Sequence, residues 1–126
     1  MLVISAGPAD AEAVRALETA LGEAAHVVYR SEAGLVDYAR HLACADLFIS
    51  ASTGPLHIAG ALDRPTATFY PRRRSASALR WQTLNTEGRR LAFMPPEDAG
   101  ENDYAAIPLD RAIADIGTLL RVCLDR

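Results

Sequence analysis

Residues 46–62 read DLFISASTGPLHIAGAL, and this stretch decides the fold. Residues 46–50 form a short apolar run that predicts a buried strand, and residues 54–62 predict a short helix. Pro55 falls in the first helical turn, where the missing N–H of proline costs nothing. A buried strand that leads through two hydroxyl residues and a glycine into a helix indicates an open α/β sheet.

The same pattern extends toward both termini. Residues 2–5, 26–29 and 66–70 are further apolar runs that predict strands, and segments with apolar residues at helical spacing separate them. The strand runs lack the alternation of a half-exposed sheet, as expected when helices cover both faces. We therefore predict an open parallel Rossmann-like sheet with helices on both faces.

The second half of the chain is less regular. Residues 71–89 predict a loop with an arginine cluster at 72–74 and the single tryptophan, and residues 91–94 predict a fifth strand. An acidic loop is expected at 95–104, and an amphipathic C-terminal helix at about 108–125. The apolar stripe of that helix consists of Leu109, Ile113, Ile116, Leu120 and Leu124.

Length and composition are those of one globular domain. The chain has 126 residues, 50% hydrophobic and 23% charged, which excludes extensive disorder. The net charge of −3 argues against nucleic acid as a partner. No apolar run reaches the ~20 residues of a membrane span, and the early acidic residues do not fit a secretory signal. Cys44 and Cys123 lie among apolar residues, so we expect reduced core thiols in a cytoplasmic protein.

The junction after residue 51 is the candidate site, because ligands of open α/β sheets bind beyond the carboxyl ends of the strands. Ser52 or Thr53 is placed to cap the helix, and Gly54 lets a ligand approach the backbone closely. The first-turn N–H groups and the helix dipole attract an anion, and His57 is placed to donate to a phosphate oxygen. The residues alone leave open an ordinary capped helix with a half-buried histidine.

Other chemistries lack their sequence patterns. The chain has no GxGxxG motif, no P-loop motif and no GxSxG motif, which disfavours dinucleotide, P-loop and hydrolase sites. Its histidines at 26, 41 and 57 do not have the spacing of metal ligands. No metal site is therefore expected.

Four segments carry a resemblance to a known family: residues 34–39 (GLVDYA), 45–50 (ADLFIS) and 52–62 (STGPLHIAGAL), followed by Arg64-Pro65. Together they resemble glycosyltransferase family 9, the lipopolysaccharide heptosyltransferase family. Its signature is an acidic residue in a helix, an Ala-Asp strand start, and Asp-Thr-Gly-x-x-His-x-Ala-x-Ala-Leu before a proline. The resemblance extends from Leu2 to about Pro71, with weaker agreement over the C-terminal helix.

The resemblance implies a GT-B enzyme, in which the C-terminal of two Rossmann-like domains binds the sugar nucleotide. Residues 1–126 are then a single donor-binding domain, inactive alone and without a catalytic residue, because the acceptor site and the base belong to an N-terminal domain. The implied reaction moves heptose or a related sugar from a nucleoside diphosphate sugar to a lipopolysaccharide-core or similar glycan acceptor, with no cofactor. Two alternatives stay open: a stand-alone nucleotide-sugar binding module without catalysis, and another GT-B enzyme such as a sugar-nucleotide epimerase.

By resemblance, the donor diphosphate is bound by Ser52, Thr53, Gly54 and His57. The family's Gly-Pro-Thr after the fourth strand is replaced here by Tyr-Pro-Arg-Arg at 70–73, and Arg72 is the arginine that we predict to face the diphosphate. Ser52 stands where the family has an aspartate that contacts the donor sugar.

The nucleoside is expected to lie near Asp10, Ala33 and Gly34 by the same resemblance. Asp10 is read equally well as a helix cap, and Asp37 as a structural residue. The implied partners are an ADP-heptose-like donor and an N-terminal acceptor-binding domain. The implied location is the cytoplasm, with peripheral contact at the inner face of the inner membrane through the acceptor.

Overall fold

The computed structural model describes residues 1–125 and has the predicted α/β character, with every strand pair parallel. The chain divides into two compact units, residues 1–40 and the part from residue 41 onward. Among the described residues, none of the helices has the length and apolar character needed to cross a membrane.

The first unit is a two-stranded parallel sheet with a helix on it. Strand β1 (Leu2–Ala6) pairs in register with β2 (His26–Arg30), and α1 (Ala11–Leu21) packs against β1. Ile4, Ala6 and Val14 form its small core, because alternate residues of β1 and one side of α1 face each other. Gly22 ends α1 in the left-handed region at φ 55°, as its position after the apolar run predicts. Helix α2 (Leu35–Leu42) then leads into the second unit.

The second unit contains the predicted junction. Its strands are β3 (Phe48–Ala51), β4 (Thr66–Phe69) and β5 (Arg90–Phe93), in the order β3-β4-β5. Helix α3 (Gly54–Ala61) packs against β3 and β4, and α5 (Leu109–Leu124) packs against β5. The C-terminal helix therefore covers the residues for which the apolar spacing predicts it.

The segment from 71 to 89 is more ordered than the predicted loop. It contains a 3-10 turn (Arg74–Ala76) and a one-turn helix α4 (Ala78–Trp81). The buried Asn85 ties this segment to the sheet: its Nδ2 lies 3.0 Å from Thr66 Oγ1 and 2.9 Å from the Arg89 carbonyl oxygen. A buried amide that makes all its bonds fixes one conformation of a segment that has few apolar residues.

Strand burial differs from the uniform burial that the apolar runs suggest. Only β4 has three consecutive buried residues, because it has a strand on each side and α3 packs against it. In β1 and β3 exposure alternates, and Val3 and Ile49 are both 50% exposed. The described strands also pair as two sheets rather than one. Apolar runs determine which residues become strands, but the choice of neighbouring strand depends on contacts between distant residues.

The prediction of two core thiols is wrong for Cys44, which is exposed, whereas Cys123 is partly buried. Cys44 lies in the turn after α2, where the local apolar composition does not face a core. Neither of these cysteines forms a disulfide.

Candidate functional site

The site begins where β3 passes into α3. Thr53 is the N-cap residue, with extended backbone angles of φ −135° and ψ 168°. Its carbonyl accepts a hydrogen bond from Leu56 N at 3.2 Å, but its hydroxyl makes no capping hydrogen bond. The predicted hydroxyl cap at Thr53 is therefore not formed. Pro55 has no N–H and the Leu56 N–H bonds the Thr53 carbonyl, so the helix start keeps an exposed threonine beside one first-turn donor without an acceptor in the helix, the N–H of Gly54.

The two glycines of α3 have opposite surroundings. No atom outside the local backbone lies within 4 Å of the place where a Cβ on Gly54 would be. At Gly60 a Cβ would come within 2.6 Å of the Thr83 Cβ. Leu56 and Ala59 are fully buried between these positions. The body of the helix is thus packed tightly, while its first residue faces open space that a ligand can occupy.

His57 lies one turn into α3 and is exposed. Its ring meets the indole of Trp81 edge to face, with 6.1 Å between the ring centroids. The indole Nε1 donates to the Ser75 carbonyl oxygen at 3.0 Å, and the Tyr70 hydroxyl donates to the Trp81 carbonyl oxygen at 3.1 Å. Burial raises the pKa of the Tyr70 phenol, which keeps it a neutral donor. Trp81 thereby connects His57 to the segment that follows β4.

Arg72 is directed toward the acidic loop in this structure. Its Nη2 donates to the carbonyl oxygens of Ala99 at 2.8 Å and Glu97 at 3.3 Å, and its backbone N–H donates to the Glu101 carbonyl oxygen at 2.8 Å. The guanidinium thus holds the loop 95–104 to the end of β4. Its contact with a diphosphate stays a prediction.

Two residues near this site were not singled out from sequence. Trp81 and Arg80 lie on α4, which the sequence pattern does not predict because one turn is too short for a periodic signal. Arg80 and Arg74 line one cleft with Arg72. Of the arginine cluster at 72–74, Arg72 and Arg74 line this cleft and Arg73 does not.

The predicted nucleoside residues lie in the first unit. Asp10 is at the N-cap of α1, but its side chain does not cap the helix; Oδ2 accepts a hydrogen bond from Gly7 N at 2.7 Å and holds the turn after β1. Ala33 and Gly34 are exposed before α2, and Gly34 has φ 86°. Asp37 accepts a hydrogen bond from the Tyr29 hydroxyl at 3.0 Å, which fits its structural interpretation.

The structure therefore brings part of the predicted set together. Ser52, Thr53, Gly54 and His57 lie at one helix start, whereas Asp10, Ala33 and Gly34 belong to the other compact unit. Within residues 1–125, no three side chains among His, Cys, Asp and Glu are grouped to hold a metal ion.

Comparisons with known proteins identify relatives of this chain. The model of glycosyltransferase family 9 (heptosyltransferase) matches residues 1–89. A curated protein of Haemophilus influenzae named "Putative glycosyltransferase" is 39% identical over 121 residues, which are 95% of this chain and 35% of that protein. The chain thus spans about a third of the length of this relative. No solved structure matches the chain.

Proposed function

Because the chain belongs to glycosyltransferase family 9, we propose that it is the donor-binding part of an enzyme that transfers a sugar from a nucleoside diphosphate sugar to a glycan acceptor. The proposed sugar is heptose or a related one, and the proposed acceptor is a lipopolysaccharide core or similar glycan. The single observation that supports the site is the start of α3, where an uncapped threonine and an unobstructed glycine lie at a helix N-terminus.

The helix start suits a diphosphate for electrostatic reasons. The Gly54 N–H, which has no acceptor in the helix, and the positive end of the helix dipole both favour an anion. The Thr53 hydroxyl, which the helix does not use, is available as a further donor. His57, held edge to face against Trp81, is exposed on the same first turn. The open space at Gly54 allows a phosphate oxygen to approach the backbone.

In sugar transfer, the donors at the helix start would act on the leaving group. The bond between the anomeric carbon and the diphosphate oxygen breaks, and the electron pair leaves with the nucleoside diphosphate. A new bond forms between the anomeric carbon and the acceptor oxygen, whose proton passes to a base that we place in the acceptor-binding domain. Donors already oriented at the helix start stabilise the charge that develops on the leaving group.

The nucleoside end of the donor is proposed to contact the loops that end β1 and β2. Gly34 and Ala33 are exposed there, and Gly34 has a backbone conformation that other residues rarely adopt. Asp10 still has its Oδ1 available beyond the bond that Oδ2 accepts from Gly7, and a ribose hydroxyl could donate to it.

A nucleotide titration tests the site. We expect ADP or UDP to bind this chain with a Kd between about 1 μM and 1 mM, or about −8 to −4 kcal/mol, and to shift the amide signals of residues 52–57. Thr53→Val should weaken binding about three- to tenfold, because it removes one hydroxyl donor and keeps the shape. Thr118→Val is the matched control, since its hydroxyl bonds the Ala114 carbonyl within α5. Unmoved amides at saturating ADP and UDP would contradict the proposed site.

A sugar-transfer assay distinguishes the proposed enzyme from the alternative, a binding module without catalysis. We expect the chain by itself to bind nucleotide and transfer no sugar, because the acceptor and the base must be positioned against the donor. Transfer should appear when the chain is joined to an acceptor-binding domain of this family. Binding without transfer in the joined protein would favour a binding module.

A further inference from the structure

A basic cleft lies beside the candidate donor site. It has a volume of about 580 Å³ and is formed by the segment that follows β4. We call it the Arg cleft, and its lining residues are Arg72, Arg74, Ser75, Ser77, Leu79 and Arg80. None of residues 52–57 lines it, so the Arg cleft is a concavity separate from the helix start.

The Arg cleft concentrates positive charge in an acidic protein. Three of its six lining residues are arginines and none is acidic, whereas the whole chain carries a net charge of −3. Over the described part of the chain, no carboxylate forms a salt bridge with Arg74 or Arg80. Arg72 contacts the acidic loop 95–104, but it bonds the backbone carbonyl oxygens of that loop and not its carboxylates. Arginines that line one cleft repel one another, and a bound anion would offset that repulsion.

The backbone of the Arg cleft is held in place before any ligand binds. The Ser75 carbonyl accepts from the Trp81 indole at 3.0 Å, and the Ser77 hydroxyl donates to the Arg74 carbonyl oxygen at 3.3 Å. The backbone N–H of Trp81 donates to the Ser77 carbonyl oxygen at 3.1 Å. These bonds fix the turn that carries the arginines, so less entropy is lost when an anion binds.

We propose that the Arg cleft binds a phosphate monoester on a second ligand, independently of the donor diphosphate. The planar guanidinium groups of Arg74 and Arg80 suit the paired oxygens of a phosphate, and the Ser75 hydroxyl adds a donor. In the function proposed above, on which this step rests, the second ligand is an acceptor whose reacting end binds the acceptor-binding domain and whose phosphate binds the Arg cleft. The contact of Trp81 with both His57 and Ser75 places the two sites side by side in this unit.

Titration with glucose 6-phosphate tests the Arg cleft, with glucose as the uncharged control. Trp81 is the single tryptophan, so its fluorescence reports binding beside it, and the amides of residues 74–77 report it by NMR. We expect the double variant Arg74→Gln with Arg80→Gln to bind glucose 6-phosphate at least tenfold more weakly. Arg73→Gln, an exposed neighbour outside the cleft lining, should change the Kd less than threefold. The exposed positions of Arg74 and Arg80 keep the variants folded, which circular dichroism checks.

A competition experiment with ADP tests whether the Arg cleft binds the phosphate of a second ligand or the diphosphate of the donor. Glucose 6-phosphate should bind with an unchanged Kd at saturating ADP, because the donor occupies the helix start. Displacement by ADP would assign the cleft to the donor diphosphate and overturn the proposal, and so would wild-type affinity in the double variant. If ADP fails to shift residues 52–57, the proposed donor site fails, and the arginine variants still decide the Arg cleft.

Discussion

Arg72 shows how one side chain can be decisive for a neighbouring loop. Its position directly after Pro71 suggests an inward arginine for an anion, yet its Nη2 bonds two carbonyl oxygens of the acidic loop. Its Nε is buried without a partner among the described atoms. Removing it takes away charged donors from two carbonyls and leaves the loop held by fewer bonds.

We expect Arg72→Ala to loosen the loop 95–104 and to cost about 1–3 kcal/mol of stability. The loss follows from hydrogen bonds with a charged donor that the structure shows to Glu97 and Ala99. Hydrogen exchange should accelerate at the backbone amides of residues 97–104. Arg73→Ala, an exposed neighbour, is the control and should leave those rates unchanged. Equal effects of the two variants would show that the bonds of Arg72 are not what orders the loop.

At the scale of elements, α3 combines a rigid body with an accessible start. Its interior positions are buried against β3 and β4, and Gly60 lies against Thr83, which also bonds Asn85. Helix α3 therefore packs against the segment after β4 at Gly60 and leaves its own N-terminus accessible at Gly54. A tightly packed helix holds its first-turn donors in fixed positions, which electrostatic stabilisation requires.

Gly60→Ala should destabilise the protein by about 1–3 kcal/mol, because the added methyl overlaps Thr83 in a packed region. Gly54→Ala is the matched control: its methyl meets no atom within 4 Å, and stability should change by less than about 1 kcal/mol. Thermal and urea unfolding measure both. If the two variants unfold alike, the close packing of α3 on the segment after β4 is refuted.

Most helices and strands could be predicted, because they depend on residues that are close together in the sequence. The five strands and the three longer helices of the first two thirds follow from apolar runs, spacing and turn residues. Helix α4 could not be predicted, since its one turn lies between polar and basic residues. Ser52 and Thr53 were both predicted as possible caps; Thr53 is the N-cap residue, but whether its hydroxyl makes a capping bond depends on a rotamer that a sequence pattern does not encode.

At the scale of the whole molecule, α5 leaves apolar surface uncovered. It buries Ala112 and Leu119, while Leu109, Ile113 and Leu124 are 57%, 66% and 58% exposed. Part of the apolar stripe that the sequence predicts on this helix therefore lies at the surface. Exposed apolar surface of this kind favours association.

We expect the chain to self-associate at high concentration through α5, and Ile113→Glu to weaken this at least tenfold. The substitution puts a charge where an apolar side chain is 66% exposed. Thr118→Glu adds the same charge at an exposed polar position of α5 and should have little effect. Sedimentation equilibrium measures both variants. A monomeric wild-type chain at high concentration would contradict the prediction.

The sequence by itself determined the α/β class, the family and the junction at residues 52–57, because strands, caps and turns depend on neighbouring residues. Only the tertiary structure decided that Trp81 meets His57, that Arg72 bonds the acidic loop, and that Arg74 and Arg80 share a cleft. These contacts join segments that the chain separates, and which of them form depends on how the elements pack. The same physical reason explains why Cys44 is exposed although its neighbours in the sequence are apolar.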